Sequence, residues 1–477
     1  MIKRLLGRGR SCRKVVFSND YLSKTEKESI HSAVCHVLEN VGIAFQSDKA
    51  VEVFKKHGAK TDGNMIYISE KLLMSSLKNT PRSFKVCGRS KERDFVVGGG
   101  APAFAPASGP VFVKTGNEKK LAGKQDYINL LKLMETSEVV NFANFIVVEP
   151  QDMPEQQRKL HQIAQTLAMT TKPLVGMAMG PGMSDKALRL ISDFYAGLSE
   201  NRTIGIISPI SPLVYDQAML EHVFAYAEHR QPLMFASCSL PGATSPVTLA
   251  GTVVIDSAQS LAGIVLAQLL RPGLPVLFGS TSCSCDMRFL APAIGSPETG
   301  LISAAIASMS HYYNLPCRTG GTLTDAKAVD AQSGLESAMA LLPALSAGAD
   351  FVLQSVGILD SFNIVSLEKF VFDEDVITFA QRMVKGFKID EASLATALIG
   401  AVGAAGQYFE HDHTFDHYRE LYIPGVLSRE GYDQWESEGR LSLSEKIAQK
   451  AARRLESYQK PYLEPEREKM LNRYIIG

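Results

Sequence analysis

Eight short apolar runs recur between residues 103 and 354, each closing on small or turn-forming residues and most followed by a stretch of helical length. They occupy 103–105, 142–148, 173–177, 203–207, 232–236, 275–278, 315–318 and 349–353. Strands that alternate with helical segments bury both faces of a sheet as parallel βα units, and eight such units predict a (β/α)8 TIM barrel of the α/β class. The segments 124–136, 154–169, 184–198, 215–229, 248–270, 297–312 and 330–346 fit its outer helices. Barrel sites form at the carboxyl ends of the strands, which directs attention to 106–110, 149–152, 178–182, 208–212, 237–243, 279–288, 319–327 and 354–357.

Both flanks read as additions to the barrel. Ile30, Val34, Val37, Leu38 and Val41 keep helical spacing over 25–41, and Gly42 supplies the stop. Segments 51–57 and 70–77 read as shorter helices, and 84–87 with 95–97 predict a hairpin packed on the barrel end. The triplet Gly98-Gly99-Gly100 precedes a strand instead of opening a helix, so it reads as a turn and not as a phosphate loop. Beyond the barrel, 373–382, 391–400 and 443–455 read as helices, the last with capping-box spacing at Ser442 and Glu445. The expected division is a helical and hairpin extension over 1–100, the barrel over 101–372 and a helical extension over 373–477.

Composition narrows the partners. Lys plus Arg and Asp plus Glu each number 50, giving a formal charge of zero, which argues against nucleic acid and against an anionic membrane surface. A large neutral chain tends to self-associate, so a homo-oligomer is expected. The longest apolar stretch, 247–270, is broken by Asp256, Ser257 and Gln259, and no membrane span is expected. The seven cysteines show no disulfide framework, which points to a reducing, cytoplasmic setting. The basic segment 1–17 has too short an apolar stretch for a signal peptide and reads as a surface arm. Cys283 and Cys285 form a C-x-C without a second matched pair, even with Cys317 at hand, and no metal is expected. His411, His413 and His417 read as structural histidines or as a lid over the barrel mouth.

Several motifs together carry a resemblance. They are Pro241-Gly242-Ala243-Thr244-Ser245-Pro246-Val247-Thr248-Leu249-Ala250-Gly251, Asp286-Met287-Arg288, Ser296-Pro297-Glu298, and Thr324-Asp325-Ala326-Lys327 with Asp330, Gln332 and Glu336. His411-Asp412-His413-Thr414 with His417, Arg419 and Pro424 belongs with them, as do Leu38-Glu39-Asn40-Val41-Gly42 and His57-Gly58-Ala59 near the amino terminus. The chain resembles the trimethylamine methyltransferase family, in its branch that lacks pyrrolysine and includes glycine betaine methyltransferase. The resemblance implies an enzyme that moves a methyl group from a small quaternary amine, such as glycine betaine, proline betaine or carnitine, to the Co(I) centre of a separate corrinoid protein. The chain lacks the D-x-H-x-x-G arrangement of corrinoid-binding modules, so a cobalamin-type cofactor would arrive on that partner.

Trimethylamine-specific relatives contain pyrrolysine, whereas every residue here is an ordinary one. A tertiary amine must gain positive charge before it gives up a methyl group; a quaternary ammonium already carries that charge. Charge disappears as the methyl group departs, so a dry, preorganised pocket favours reaction without supplying a proton or a nucleophile. The segments 322–327 and 354–359 are where a replacement for pyrrolysine is sought.

A betaine pocket needs two unlike ends. Phe104, Phe145, Phe278 and Phe289 are candidates for aromatic faces toward the ammonium, with Glu149 or Asp286 as counter-charge. Arg288, Arg318, Ser239 and Gln354 are candidates for the carboxylate. The alternatives are core packing for each aromatic, a mutual Arg288–Asp286 pair, and a helix-capping role for Asp325. The corrinoid partner is expected to dock over 208–214 and 286–289, with Ser211 and Phe289 as contacts. Two other functions stay open: a corrinoid-independent barrel enzyme acting on a small acid, and a non-catalytic binder of quaternary amines.

Overall fold

The computed structural model describes residues 13–15 and 20–475. Apart from a strand at Arg13–Val15, the basic segment 1–17 lies outside the described residues.

All eight apolar runs form strands of one parallel sheet: β1 (Ala103–Phe104), β2 (Ala143–Asn144), β3 (Leu174–Gly176), β4 (Thr203–Ile207), β5 (Leu233–Ser237), β6 (Val276–Ser280), β7 (Cys317–Gly320) and β8 (Phe351–Leu353). The order runs β2-β3-β4-β5-β6-β7-β8-β1, so the two ends of the sheet are neighbours in sequence. They meet through Asn141, whose N–H donates to Phe104 O at 2.9 Å and whose Oδ1 accepts from Phe104 N at 2.9 Å. Asn144 Nδ2 adds a bond to Ala107 O at 2.9 Å. The barrel is thereby closed.

Outside it stand α1 (Lys124–Thr136), α2 (Glu155–Met169), α3 (Met183–Tyr195), α4 (Gln217–Glu228), α5 (Leu249–Leu270), α6 (Pro297–Tyr312), α7 (Ala331–Ser346) and α8 (Leu367–Lys385). Their starts are fixed locally, for instance by Asp216, Asp330 and Ser366, which accept from backbone N–H groups of the first turns of α4, α7 and α8. Among the described residues, α5 alone is long and apolar enough to cross a membrane; here it is a core helix, mostly buried against β5, β6 and the amino-terminal helices.

Alternation along the strands sorts the side chains. Ile204, Ile206, Met234, Leu277 and Phe351 fill the barrel, while Leu233, Phe235, Phe278 and Cys317 face the helices. The hairpin Phe84–Val86 with Phe95–Val97 closes the amino-end of the barrel, its Phe84, Val86 and Val97 packing on that interior layer. Cys87 N–H donates to Asn201 O at 2.7 Å and Arg89 N–H to Thr171 O at 2.8 Å, tying the hairpin to the approaches of β4 and β3.

The amino-terminal extension grips the mouth. Its strand Ile43–Phe45 pairs with Val214–Tyr215 in the loop after β4, and Phe45 stacks on Tyr215 at 4.9 Å. At the other flank α8 runs continuously through the expected division at 372 and 373. The helix expected at 391–400 is two, Glu391–Leu394 and Thr396–Val402, separated by Ala395 at φ 46°. The His411–His417 segment does not cover the mouth of its own barrel. Arg382, in the last turn of α8 and so near the amino-end, donates from Nε to Glu420 O at 2.9 Å and holds the segment there.

Candidate active site

Arg318 projects from β7 toward the barrel mouth and is 1% exposed. Nη1 donates to Ser280 O at 2.7 Å and to Thr281 Oγ1, and Nη2 lies 3.4 Å from Gln354 Oε1. Nε has no partner. Burial pulls the guanidinium down to about 10, and the groups that oppose this are the thiols of Cys238 and Cys317, not a carboxylate. An enclosed cation held by neutral oxygens alone is electrostatically unfinished, and an anion beside it would complete it. Gly279 makes this placement of β7 feasible: a Cβ there would stand 2.3 Å from Arg318 O.

Cys238 lies beside Arg318. It is solvent-accessible, yet burial raises its thiol pKa, with Asp256 adding to the rise and Arg318 opposing it. A group open to water but walled by protein lines a concavity. Alternation from Met234 through Ala236 carries Cys238 to the inward side, above the filled layer, and Met177 packs on the same interior.

Behind β5 and β6, Asp256 of α5 is fully buried. Its oxygens accept from Ser239 Oγ at 2.6 Å and from Ser280 Oγ at 2.7 Å, and Ser282 also bonds to it. Burial raises its pKa and the three serines oppose the rise. Ser239 Oγ lies 3.0 Å from Ser211 Oγ, and Gln259 Nε2 donates to Ser211 at 3.1 Å while Gln259 Oε1 accepts from Leu213 N at 2.6 Å. The loops after β4, β5 and β6 therefore share one polar network.

Of the candidates read from the sequence, Arg318 and Gln354 come together at the mouth. Ser239 reaches it as part of the Asp256 network. Phe104, Phe145 and Phe278 are core side chains; Phe145 fills the space that a Cβ on Gly176 would take, and Phe278 packs near Tyr313 outside the barrel. Glu149 faces α2 and pairs with Lys159, with Arg158 at 4.0 Å. Asp286 and Arg288 pair with each other on an exposed hairpin after β6, which lowers the Asp286 carboxyl to about 2. Phe289, at the tip of that hairpin, is 76% exposed. Ser211 is held in the network, and its neighbour Ile210 supplies the exposed surface. Asp325 does not cap α7, which Asp330 does; it ties Ile294 N, Gly295 N and Ser361 Oγ, joining the loops after β6, β7 and β8. Cys317 faces the helices, apart from Cys283.

Asp256, Cys238 and Gln259 were not singled out as site residues. The signal for Cys238 was strand alternation; for Asp256 and Gln259 it was the polar cluster 256–260 within a helix that is mostly apolar.

Around the mouth Ile210, Val247, Met287, Phe289 and Leu290 are exposed, and Gly242 holds the loops after β5 and β6 close, its Cβ position 3.4 Å from Met287 Sδ. This is an apolar rim on an open end.

The chain is 35% identical to a glycine betaine methyltransferase from Desulfitobacterium hafniense (strain Y51), over 95% of this chain and 96% of that one. It is 32% identical to a proline betaine:corrinoid methyltransferase from Eubacterium limosum, over 96% and 98%, and 28% identical to an L-carnitine:corrinoid methyltransferase from the same organism, over 95% and 96%. The crystal structure of the Methanosarcina barkeri monomethylamine methyltransferase shares the fold, with a TM-score of 0.57 at 12% identity over 94% of this chain and 90% of that one. The trimethylamine methyltransferase family model matches residues 8–477. A closed eight-stranded barrel and similarity along nearly the whole length lead to one assignment: the chain belongs to the trimethylamine methyltransferase family.

Proposed function

We propose that this chain transfers a methyl group from a small carboxylate-bearing quaternary amine to a separate corrinoid protein. The observation that carries the reading is Arg318, a buried cation with a free Nε and no carboxylate partner among the described residues. The carboxylate of a betaine completes it, and Gln354 and Thr281 orient the guanidinium toward the mouth. Asp256 holds Ser239 and Ser280 in place and contributes negative potential on the side of β5 and β6, where the ammonium end would lie. The corrinoid supplies a Co(I) nucleophile, and the open apolar rim suits the docking of the protein that carries it. The chain's own part is to bind the amine by its carboxylate, direct the methyl carbon outward and exclude water, since neutralisation of charge is favoured in a dry site. No side chain is required to hold or move a proton.

The experiment is a panel of amines mixed with Co(I) corrinoid protein, followed by the visible spectrum of the methylated product. Glycine betaine, proline betaine or carnitine should react and trimethylamine should not. Arg318→Met should raise KM for the reacting betaine by about 10²-fold or more, as expected for loss of a buried charge pair, and leave any reaction of tetramethylammonium, which has no carboxylate, little changed. Equal losses on both substrates would refute the carboxylate assignment.

A further inference from the structure

Residues 390–425 contain no buried residue, although they form the helices Glu391–Leu394, Thr396–Val402 and Asp412–His417. Helices of this length do not hold together in water on their own, where even ~12–15 residues are marginal. The segment also exposes large apolar side chains: Leu394, Ile399, Phe409, Phe415, Leu421 and Ile423. Phe409 is 87% exposed and Ile423 74%. Beside it, α7 and α8 enclose a groove of about 240 Å3 lined by Ala338, Met339, Leu342, Phe379, Ala380 and Met383. The two surfaces are continuous: Tyr422 packs edge-on against Phe379 at 5.3 Å, and Leu427 lines the groove.

We propose that this face is the contact between two copies of the chain, the 390–425 arm of each covering the α7–α8 groove of the other. The partner is a second copy for two reasons. At on the order of 100 Å2 of apolar surface per large side chain, arm and groove offer on the order of 1,000 Å2 per chain. A two-fold contact buries twice that, which reaches the range of permanent homodimers, roughly 2,000 Å2 and above, and exceeds that of transient encounters. A corrinoid protein must come and go at the mouth, whereas the arm is fastened by Arg382 at the carboxyl end of α8, on the amino-end side of the barrel. The inference is independent of the substrate assignment and leaves the mouth free.

The test uses the full chain without corrinoid protein. Sedimentation should give a dimer or a multiple of it. Phe409→Glu, Phe415→Glu and Met339→Glu should each weaken association by about tenfold or more. All three sites are exposed in a single copy, so the fold should persist by circular dichroism. Hydrogen exchange supplies a readout free of variants: amides of 396–402 and 412–417 should be protected in the native protein, and Met339→Glu, outside the arm, should remove that protection. A monomer at tens of micromolar, unprotected arm amides, or association indifferent to all three substitutions would overturn the proposal.

Discussion

Asp256 shows how a single residue can shape a mouth it does not line. Its carboxyl gathers Ser239, Ser280 and Ser282 from two loops, so Asp256→Ala leaves buried hydroxyls without an acceptor. A loss of about 3 kcal/mol is expected from chemical unfolding, since each orphaned buried donor costs roughly 1 to 3 kcal/mol. Lys172 offers a test by pH. It is buried, donates to Ser137 O at 2.7 Å and to Val140 O, and desolvation lowers its pKa to about 7. In the unfolded chain it titrates at about 10.4. Between those values the unfolded state binds more protons than the folded one, so stability rises with pH across that window and the contribution levels off outside it. The stability difference between native protein and Lys172→Met should therefore grow from pH 7.5 to 9.5, at up to about 1.4 kcal/mol per unit; a difference that stays flat contradicts this. The placement of Arg318 and Gln354 at the mouth was legible in the sequence because the first closes a strand-like run and the second follows one. The misplaced aromatics were not, because a Phe at a strand end looks the same whether it points into the barrel or out toward a helix, and only register decides.

The elements repeat that lesson at a larger spacing. All eight barrel strands and seven of the eight outer helices lay where apolar periodicity put them, since periodicity reports which side of an element is buried. What escaped was set by contacts between distant segments: the strand Val214–Tyr215 that joins the amino-terminal sheet, the break at Ala395, and the passage of α8 through the supposed boundary. Two helical glycines separate packing from propensity. On Gly263 of α5 a Cβ would fall 2.3 Å from Tyr215 Oη and 2.5 Å from Phe235 Cδ1. Gly263→Ala should cost about 1 to 3 kcal/mol by overpacking. On Gly334 of α7 the nearest atom is Phe372 Cζ at 3.5 Å, an ordinary contact. Gly334→Ala should stabilise by up to about 1 kcal/mol. Thermal unfolding of the two variants should move in opposite directions.

For the whole molecule, the apolar rim and the buried Arg318 divide the labour between docking and binding. Phe289 is exposed, with the neighbouring Arg288 guanidinium 5.5 Å from its ring centroid. Phe289→Glu should cut turnover with the corrinoid protein severalfold while calorimetry finds the betaine affinity unchanged; a parallel loss would move the docking surface elsewhere. The plugged amino-end has a kinetic corollary. With Phe84, Val86 and Val97 sealing the far side, a small amine and a bulky visitor share a single doorway, and the amine must be inside before the visitor arrives. The demethylated amine must likewise wait for the visitor to leave. Steady-state kinetics should then be ordered, with the product amine competitive against the substrate amine and mixed against the corrinoid protein, as in a narrow alcove where the first to enter is the last to go.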